Sequence, residues 1–265
     1  MKLNEKNGIE YFTFGKFKDL RHCFSTRNGG VSEGCYESLN LGFRNDKREN
    51  VVENYERICS AIGVKKENTV WTKQVHEDKI LRVYEKDRGV GLFRERPEVG
   101  YDAVITNCRD VVLTGFSADC VLIYFYDSIH QAIGIAHSGW RGTVLEIGKK
   151  AVAAMEKEFA TKPQELVCAI APAIGSCCFQ VSEDVAEEFL QKLPWSKEFV
   201  IKDKENQGKF YIDLHRINER ILINSGVKAD NIENSLFCTK CHPEYFYSHR
   251  LMGNERGSMA GMISL

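Results

Sequence analysis

His76, Cys120 and His137 lie far apart in the chain, yet each closes an apolar, strand-like run inside an otherwise polar motif: WTKQVH, SADC and AHSGWRG. A strand end aims a side chain at a fixed point. A thiolate and two imidazoles meeting there would form a ligand set for a borderline-soft ion such as zinc. Three protein ligands leave a fourth position open, the arrangement of a catalytic ion rather than a structural one. Taken singly, Cys120 is better explained as a packed thiol and His137 as a hydrogen-bonded histidine capping a strand. Their common placement at strand ends and the context of His137 favour the site. Gly139 and Gly142 leave backbone room beside it, and Arg141 supplies a cation just before a helix expected to begin near Thr143. Arg141 and that helix N-terminus together suit a phosphate. Trp140 serves equally as core packing or as a stacking face for a planar ligand.

The elements that must position these residues alternate between helix and strand. Residues 49–62 place Val51, Val52, Tyr55, Ile58, Cys59 and Ile62 on one helical face and stop at Gly63. The runs DAVITN, VVLTGFS, VLIYFY and QAIGIAHSG follow in close succession, separated by short polar turns. VLIYFY has no polar face, so this strand is expected to be buried on both sides. Asp119 and Cys120 then fall in a tight connection. A helix capped by Thr143 is expected through Phe159, with Val144, Ile147, Ala151, Met155 and Phe159 as its stripe, and LVCAIAP reads as another buried strand. Further helices are expected from Glu183 to Leu193 and from Asp213 to Ser225, the latter with Asp213 as N-cap and Gly226 as its stop. The charged stretch from Arg88 to Gly100 reads as a long mobile loop.

Bulk properties limit what such a protein meets. The 265 residues are read as one domain, 1–265. Lys plus Arg (36) nearly balance Asp plus Glu (37), so no broad attraction to nucleic acid or to a membrane is expected, and any phosphate must be held by local arginines. The start, MKLNEKNGIEYF, has no apolar leader, and no run is long enough to span a bilayer, so a cytoplasmic location is expected. The ten cysteines sit in apolar segments of a large chain and are expected to be mostly buried free thiols. Cys238 and Cys241 form CTKC before His242, but no second Cys-x-x-Cys completes a zinc knuckle and the adjacent pair Cys177 and Cys178 has the wrong spacing. Packed thiols are expected there.

Together, RNGGVSEGCYESLNLG, QVH, YDAVITN, SADC, AHSGWRG, APAIGSCCFQV, DLHRIN, CT, FYSHR and RGSMAG resemble, in order, the motifs of the YfiH/YlmD family of laccase-domain or polyphenol oxidase proteins. The likeness runs from about Arg21 to the C-terminus. It implies an α/β fold, a four-layer α/β/β/α arrangement grouped with cysteine hydrolases, with zinc (or copper) on His76, Cys120 and His137. It also implies purine nucleoside phosphorylase activity on adenosine, inosine, guanosine or methylthioadenosine with phosphate, and adenosine deaminase activity. By resemblance Cys120, His137 and Arg141 carry the chemistry, while Arg27, Asn40, Gln74, Ser248, His249 and Arg250 contact the substrate. Two positions depart from the common pattern: His249 stands where many relatives carry tyrosine, and Gln180 where many carry glutamate. Gln180 removes a possible general base, for which Asp119 or His249 would substitute.

Rival readings make different demands. A true multicopper oxidase needs a blue-copper centre and a cluster fed by His-x-His pairs; this chain has seven histidines and no such pair. Copper-dependent polyphenol oxidation would then be a side activity. Cys120 as a nucleophile with His137 as its base would instead give an amide hydrolase, as in relatives that edit peptidoglycan precursors. A non-catalytic interaction protein is the third reading. Whether the chain is a monomer or a homodimer is open at this point.

Overall fold

The computed structural model describes residues 1–265. In chain order the strands are β1 (Lys2–Lys6), β2 (Ile9–Thr13), β3 (Arg21–Ser25), β4 (Thr69–Val70), β5 (Ile80–Arg82), β6 (Ala103–Thr106), β7 (Val112–Ser117), β8 (Val121–Asp127), β9 (Ala132–Ser138), β10 (Val167–Ile170), β11 (Gln180–Ser182), β12 (Val200–Lys202), β13 (Lys209–Ile212), β14 (Ile232–Asn234) and β15 (Met259–Ser264). The helices are α1 (Arg48–Ile62), α2 (Trp140–Val144), α3 (Ile147–Phe159), α4 (Glu183–Lys192), α5 (Leu214–Asn224) and α6 (His249–Met252). The fold is mixed α/β with several sheets. One six-stranded sheet runs β1-β2-β3-β15-β7-β4, a second runs β14-β10-β8-β9-β6-β5, and β11-β13-β12 form a small third.

Burial follows from sequence alternation. Val121, Ile123 and Phe125 of β8 join a core shared with α3 and α5, whereas Leu122 and Tyr124 point the other way, into a core shared with β7 and β15 of the first sheet. The absence of a polar face in this strand is thus explained by apolar neighbours on both sides. A third core lies between α1 and the first sheet, where Val51, Tyr55, Ile58 and Cys59 meet Cys23, Val112 and Met262. Gly63, at φ 74°, ends α1 in the left-handed conformation glycine tolerates.

Three expectations change. The helix expected from Thr143 begins earlier, at Trp140, and breaks after Val144, because Glu146 takes a left-handed conformation before α3 starts. Thr143 therefore caps nothing; its hydroxyl donates to the Gly139 carbonyl and accepts from Asn218. The Arg88–Gly100 stretch is anchored in its first half, with Leu92 fully buried and Gly91 packed so closely on the Trp71 ring that a Cβ there would lie 2.4 Å from it. Finally, all ten cysteines are free, but only Cys23, Cys59, Cys168 and Cys238 are buried.

The two large sheets are pinned by a polar contact through a gap in a strand. Tyr124 of β8 reaches across to donate its hydroxyl to the Cys23 carbonyl in β3 at 2.7 Å. It passes Gly261 of β15, where an added Cβ would sit 2.2 Å from the hydroxyl oxygen. Replacing Gly261 with alanine is expected to cost roughly 1–3 kcal/mol by overpacking. Tyr124→Phe is expected to cost about 1 kcal/mol from the lost hydrogen bond. Because the two residues share one contact, the double variant should lose less than the sum, as read from denaturant midpoints. Strict additivity would mean that the hydroxyl and the glycine do not depend on each other.

Candidate active site

Two antiparallel strands and one turn bring the three candidate ligands together. β8 and β9 pair from Val121↔Ser138 to Asp127↔Ala132, so Cys120, just before β8, lies beside His137 near the end of β9. The connection carrying Cys120 is closed by Ser117 Oγ, which donates to the Cys120 carbonyl at 2.5 Å. His76 arrives from a separate turn and takes φ 62°, an uncommon conformation for a residue with a side chain. One carboxylate holds that turn. Asp102, immediately before β6, accepts the backbone N–H groups of Val75, His76 and Glu77 at 3.1, 3.0 and 2.9 Å. Its Oδ1 also accepts Nδ1–H of His137 at 2.8 Å, and its carbonyl accepts the His137 backbone N–H at 2.6 Å.

That geometry fixes the chemistry of the imidazole. With Nδ1–H given to Asp102, Nε2 of His137 is the atom left to face the cluster, the carboxylate–histidine arrangement that orients metal ligands. The ligand atoms of His76, Cys120 and His137 all lie within 4.8 Å of one another. Gly139 supplies the space: a Cβ there would stand 3.0 Å from Cys120 Sγ and 3.1 Å from His76 Cδ2. A thiolate and two imidazoles in a cradle where even a methyl group would be crowded fit a borderline-soft ion such as zinc or copper.

Charges in the cluster reinforce one another. Burial alone would raise the Cys120 thiol, but the His137 charge and hydrogen bonds from both histidines bring it down to about 6. Burial would lower His137, yet the Cys120 thiolate and then Asp102 push it up to about 9. Asp102 feels burial too, but hydrogen bonds from His137 and from the Glu77 and Val75 amides keep it below the usual carboxylate range. Each charge of the pair therefore favours the other, the imidazolium holding the thiol down and the thiolate holding the imidazole up.

The cluster opens into a cavity of about 610 Å³, a size suited to a nucleoside-sized ligand. Four arginines line it, Arg44, Arg141, Arg250 and Arg256, along with Trp140, Phe179, Gln180 and His249. The Arg141 guanidinium lies 4.4 Å from the centre of the Trp140 ring. Arg250 is stretched over Phe179 and donates to the carbonyls of Cys178 and Gln180 at 3.3 and 2.8 Å. Gln180, where a glutamate was weighed as a base, donates its amide to Asp203 at 2.6 Å. The helix behind Arg141 has only five residues, so the cationic side chains, rather than a long helix dipole, make this wall attractive to an anion.

The remaining residues assigned by resemblance lie elsewhere. Ser248 is fully buried, caps α6 by accepting from Leu251, and donates to Asp119 at 3.0 Å. Asn40 is 1% exposed and spends its amide on Gly42, Asp46 and Ser258. Gln74 pairs both ends of its amide with the Phe116 backbone, filling a gap at the edge of β7. Arg27 donates to the Glu37 and Pro243 carbonyls and lies against the Tyr247 ring. None of these four lines the 610 Å³ cavity. Asp119 borders it but already accepts three hydrogen bonds: Thr239 donates to Oδ1, and Ser248 with the Arg250 amide donates to Oδ2. It ties the Cys120 turn to the C-terminal segment and is poorly placed to act as a base. Sequence reasoning missed Asp102, Arg44 and Arg256. Only Asp102 left a signal, as the single acidic residue at the head of a buried strand.

The chain resembles known proteins in sequence and in fold. The purine nucleoside phosphorylase YlmD of Bacillus subtilis (strain 168) is 33% identical over 250 residues, covering 94% of this chain and 89% of that protein. The adenosine deaminase RL5, from an unknown prokaryotic organism, is 30% identical over 252 residues, covering 94% and 95%. The crystal structure of the hypothetical protein YfiH of Bacillus licheniformis superposes with a TM-score of 0.92 at 30% identity, covering 99% of this chain and 98% of the other. The family model described as multi-copper polyphenol oxidoreductase laccase matches residues 21–265, and with these relatives it establishes that the chain belongs to this family, the YfiH/YlmD group.

Proposed function

We propose that this chain is a zinc-dependent purine nucleoside phosphorylase, with adenosine deaminase as a second activity of the same site, and that it acts as one catalytic domain. The observation that carries the reading is the His76, Cys120, His137 cluster, braced by Asp102, at the floor of a cavity lined by four arginines. The names carried by relatives at 30–33% identity point to the same two reactions. An ion on these three ligands would supply Lewis acidity toward a water or a substrate atom. The chain's own groups do the rest. Arg141 and Arg250 hold phosphate by charge and by planar hydrogen bonding. Trp140 and Phe179 offer flat faces to the base. His249, with Nδ1 3.0 Å from the Gly253 carbonyl, keeps Nε2 to exchange a proton with the departing base.

A second reading rests on the Cys120 thiol, brought down to about 6 beside an imidazolium. Such a pair is the resting state of a cysteine nucleophile and would support hydrolysis of an amide bond, as in a cell-wall precursor. The two uses of the sulfur compete, because a thiolate bound to an ion is a blunted nucleophile.

Incubating zinc-loaded protein with adenosine, with and without phosphate, separates these readings. Phosphate-dependent adenine, or inosine formed without phosphate, is expected, and both should vanish in Cys120→Ala. Absence of turnover in the zinc-loaded protein, with amide cleavage by a metal-free preparation, would establish the hydrolase instead. Asp102→Asn should weaken metal affinity roughly 10–100-fold in a chelator competition, since it removes the partner that orients His137. Unchanged affinity would show that His137 needs no such brace. In stripped protein, iodoacetamide should alkylate Cys120 with a midpoint near pH 6, its reactivity falling as the pH drops through that value and the thiolate is protonated. The signal is the difference from Cys120→Ala; a midpoint above 8 would mean that the histidines do not stabilise the thiolate.

A further inference from the structure

Cys177, Cys178, Cys238 and Cys241 converge on one point at the far end of the loops that wall the cavity, with all four sulfurs within 4.8 Å of one another. Cys177 and Cys178 sit between β10 and β11, and Cys238 and Cys241 between β14 and α6. Spacing along the sequence concealed the set, because the two pairs are some sixty residues apart and neither is a pair of zinc knuckles. A single bridge between Ala173 and Cys238 lays the two loops side by side. Thr239 adds a backbone hydrogen bond to the Ala173 carbonyl at 2.9 Å.

Distances narrow the chemistry. Sγ of Cys241 lies 3.6 Å from that of Cys177 and 3.5 Å from that of Cys178. A disulfide requires about 2.05 Å. Four thiolates around one tetrahedral ion at about 2.3 Å stand roughly 3.8 Å apart, close to what is seen. A multi-iron cluster spreads its thiolates over separate metal atoms and so needs a wider set. The surroundings are built for sulfur: the Gly175 amide donates to Cys238 Sγ at 3.2 Å. Gly175 also has no Cβ to spare, since one would stand 3.3 Å from Cys177 Sγ. Cys238 is buried while Cys177 and Cys241 are exposed, so an ion enters from solvent and is gripped from beneath. The adjacent His242 is not part of the set; its ring is held by Glu244 at 2.9 Å.

We propose that these four cysteines form a second metal site, a closed mononuclear tetrathiolate centre for a soft divalent ion, zinc or iron, with a structural role. Four sulfurs leave no open position for a substrate. Binding releases the thiol protons to solvent and makes four sulfur–metal bonds, with no change of oxidation state. The ion staples the loop leading to Phe179 and Gln180 to the loop leading to His249 and Arg250, the two segments that Arg250 already bridges by its hydrogen bonds to the Cys178 and Gln180 carbonyls.

The test counts metal in full-length protein purified under reducing, anaerobic conditions. Cys120→Ala removes a ligand from the other cluster only, and is expected to keep one equivalent of zinc or iron by mass spectrometry. Cys177→Ser/Cys241→Ser is expected to lose one equivalent relative to the wild type. Cobalt loaded into Cys120→Ala should give the intense thiolate charge-transfer and tetrahedral d–d bands of a four-sulfur site. A nearly colourless iron-loaded preparation with the same stoichiometry, turning red when oxygen in air takes one electron from each Fe(II), would support the centre and identify iron as its ion. Loss of all metal from Cys120→Ala, an unchanged metal count in the double serine variant, or recovery of the four cysteines as disulfides would each overturn it. If the double variant does not fold, the metal count and cobalt spectrum of Cys120→Ala decide alone.

Discussion

The Asp102 carboxylate is the constraint around which the site is organised. It is buried, and it collects three consecutive backbone amides and one imidazole N–H. A buried carboxylate without such donors would be costly, and three amides pointing inward without an acceptor would be equally so. Each therefore requires the other. The left-handed conformation of His76 persists because the turn is held by these bonds, and the tautomer of His137 is set by the fourth. A single side chain thus decides where two of the three candidate ligands point, while the β8–β9 ladder places the third.

A second carboxylate plays a matching part on the other side of Cys120. Asp119 joins the Cys120 turn to Thr239, Ser248 and the Arg250 amide, so the cavity's C-terminal wall and its floor share one hydrogen-bonded joint. Ser248 belongs to this joint and does not line the cavity, and Asn40, in the loop ahead of α1, likewise lies outside the cavity lining. There Asn54, buried on the helix, donates to Ser32 Oγ and to the carbonyls of Ser38 and Asn40. Polar residues that recur in a motif can thus be occupied with holding loops in shape.

How much of this was legible in the sequence depends on the range of the interaction concerned. The unbroken apolar run of β8 announced a strand covered on both faces, and the strand-end positions of His76, Cys120 and His137 announced a convergence. Local periodicity carries both signals. The break between α2 and α3 left no trace, because Glu146 is an ordinary helix former that nonetheless takes a left-handed conformation there. Arg44 and Arg256 read as surface charges until the chain closes them around one cavity. The four cysteines were dismissed because their spacing is wrong for a local motif. What joins them is a bridge between distant loops, which no window along the sequence contains.

Strand order adds a consequence for how the protein is made. β15, at residues 259–264, lies inside the first sheet between β3 and β7, and not at an edge. Until those residues leave the ribosome, β1–β3 and β7 are two fragments with open edges facing a gap, and the Tyr124 hydroxyl has no strand to pass. Open strand edges are the surfaces on which chains pair wrongly. The nascent chain carries His76, Cys120 and His137 before the sheet beneath them can close, which makes the insertion of β15 the step that removes those open edges.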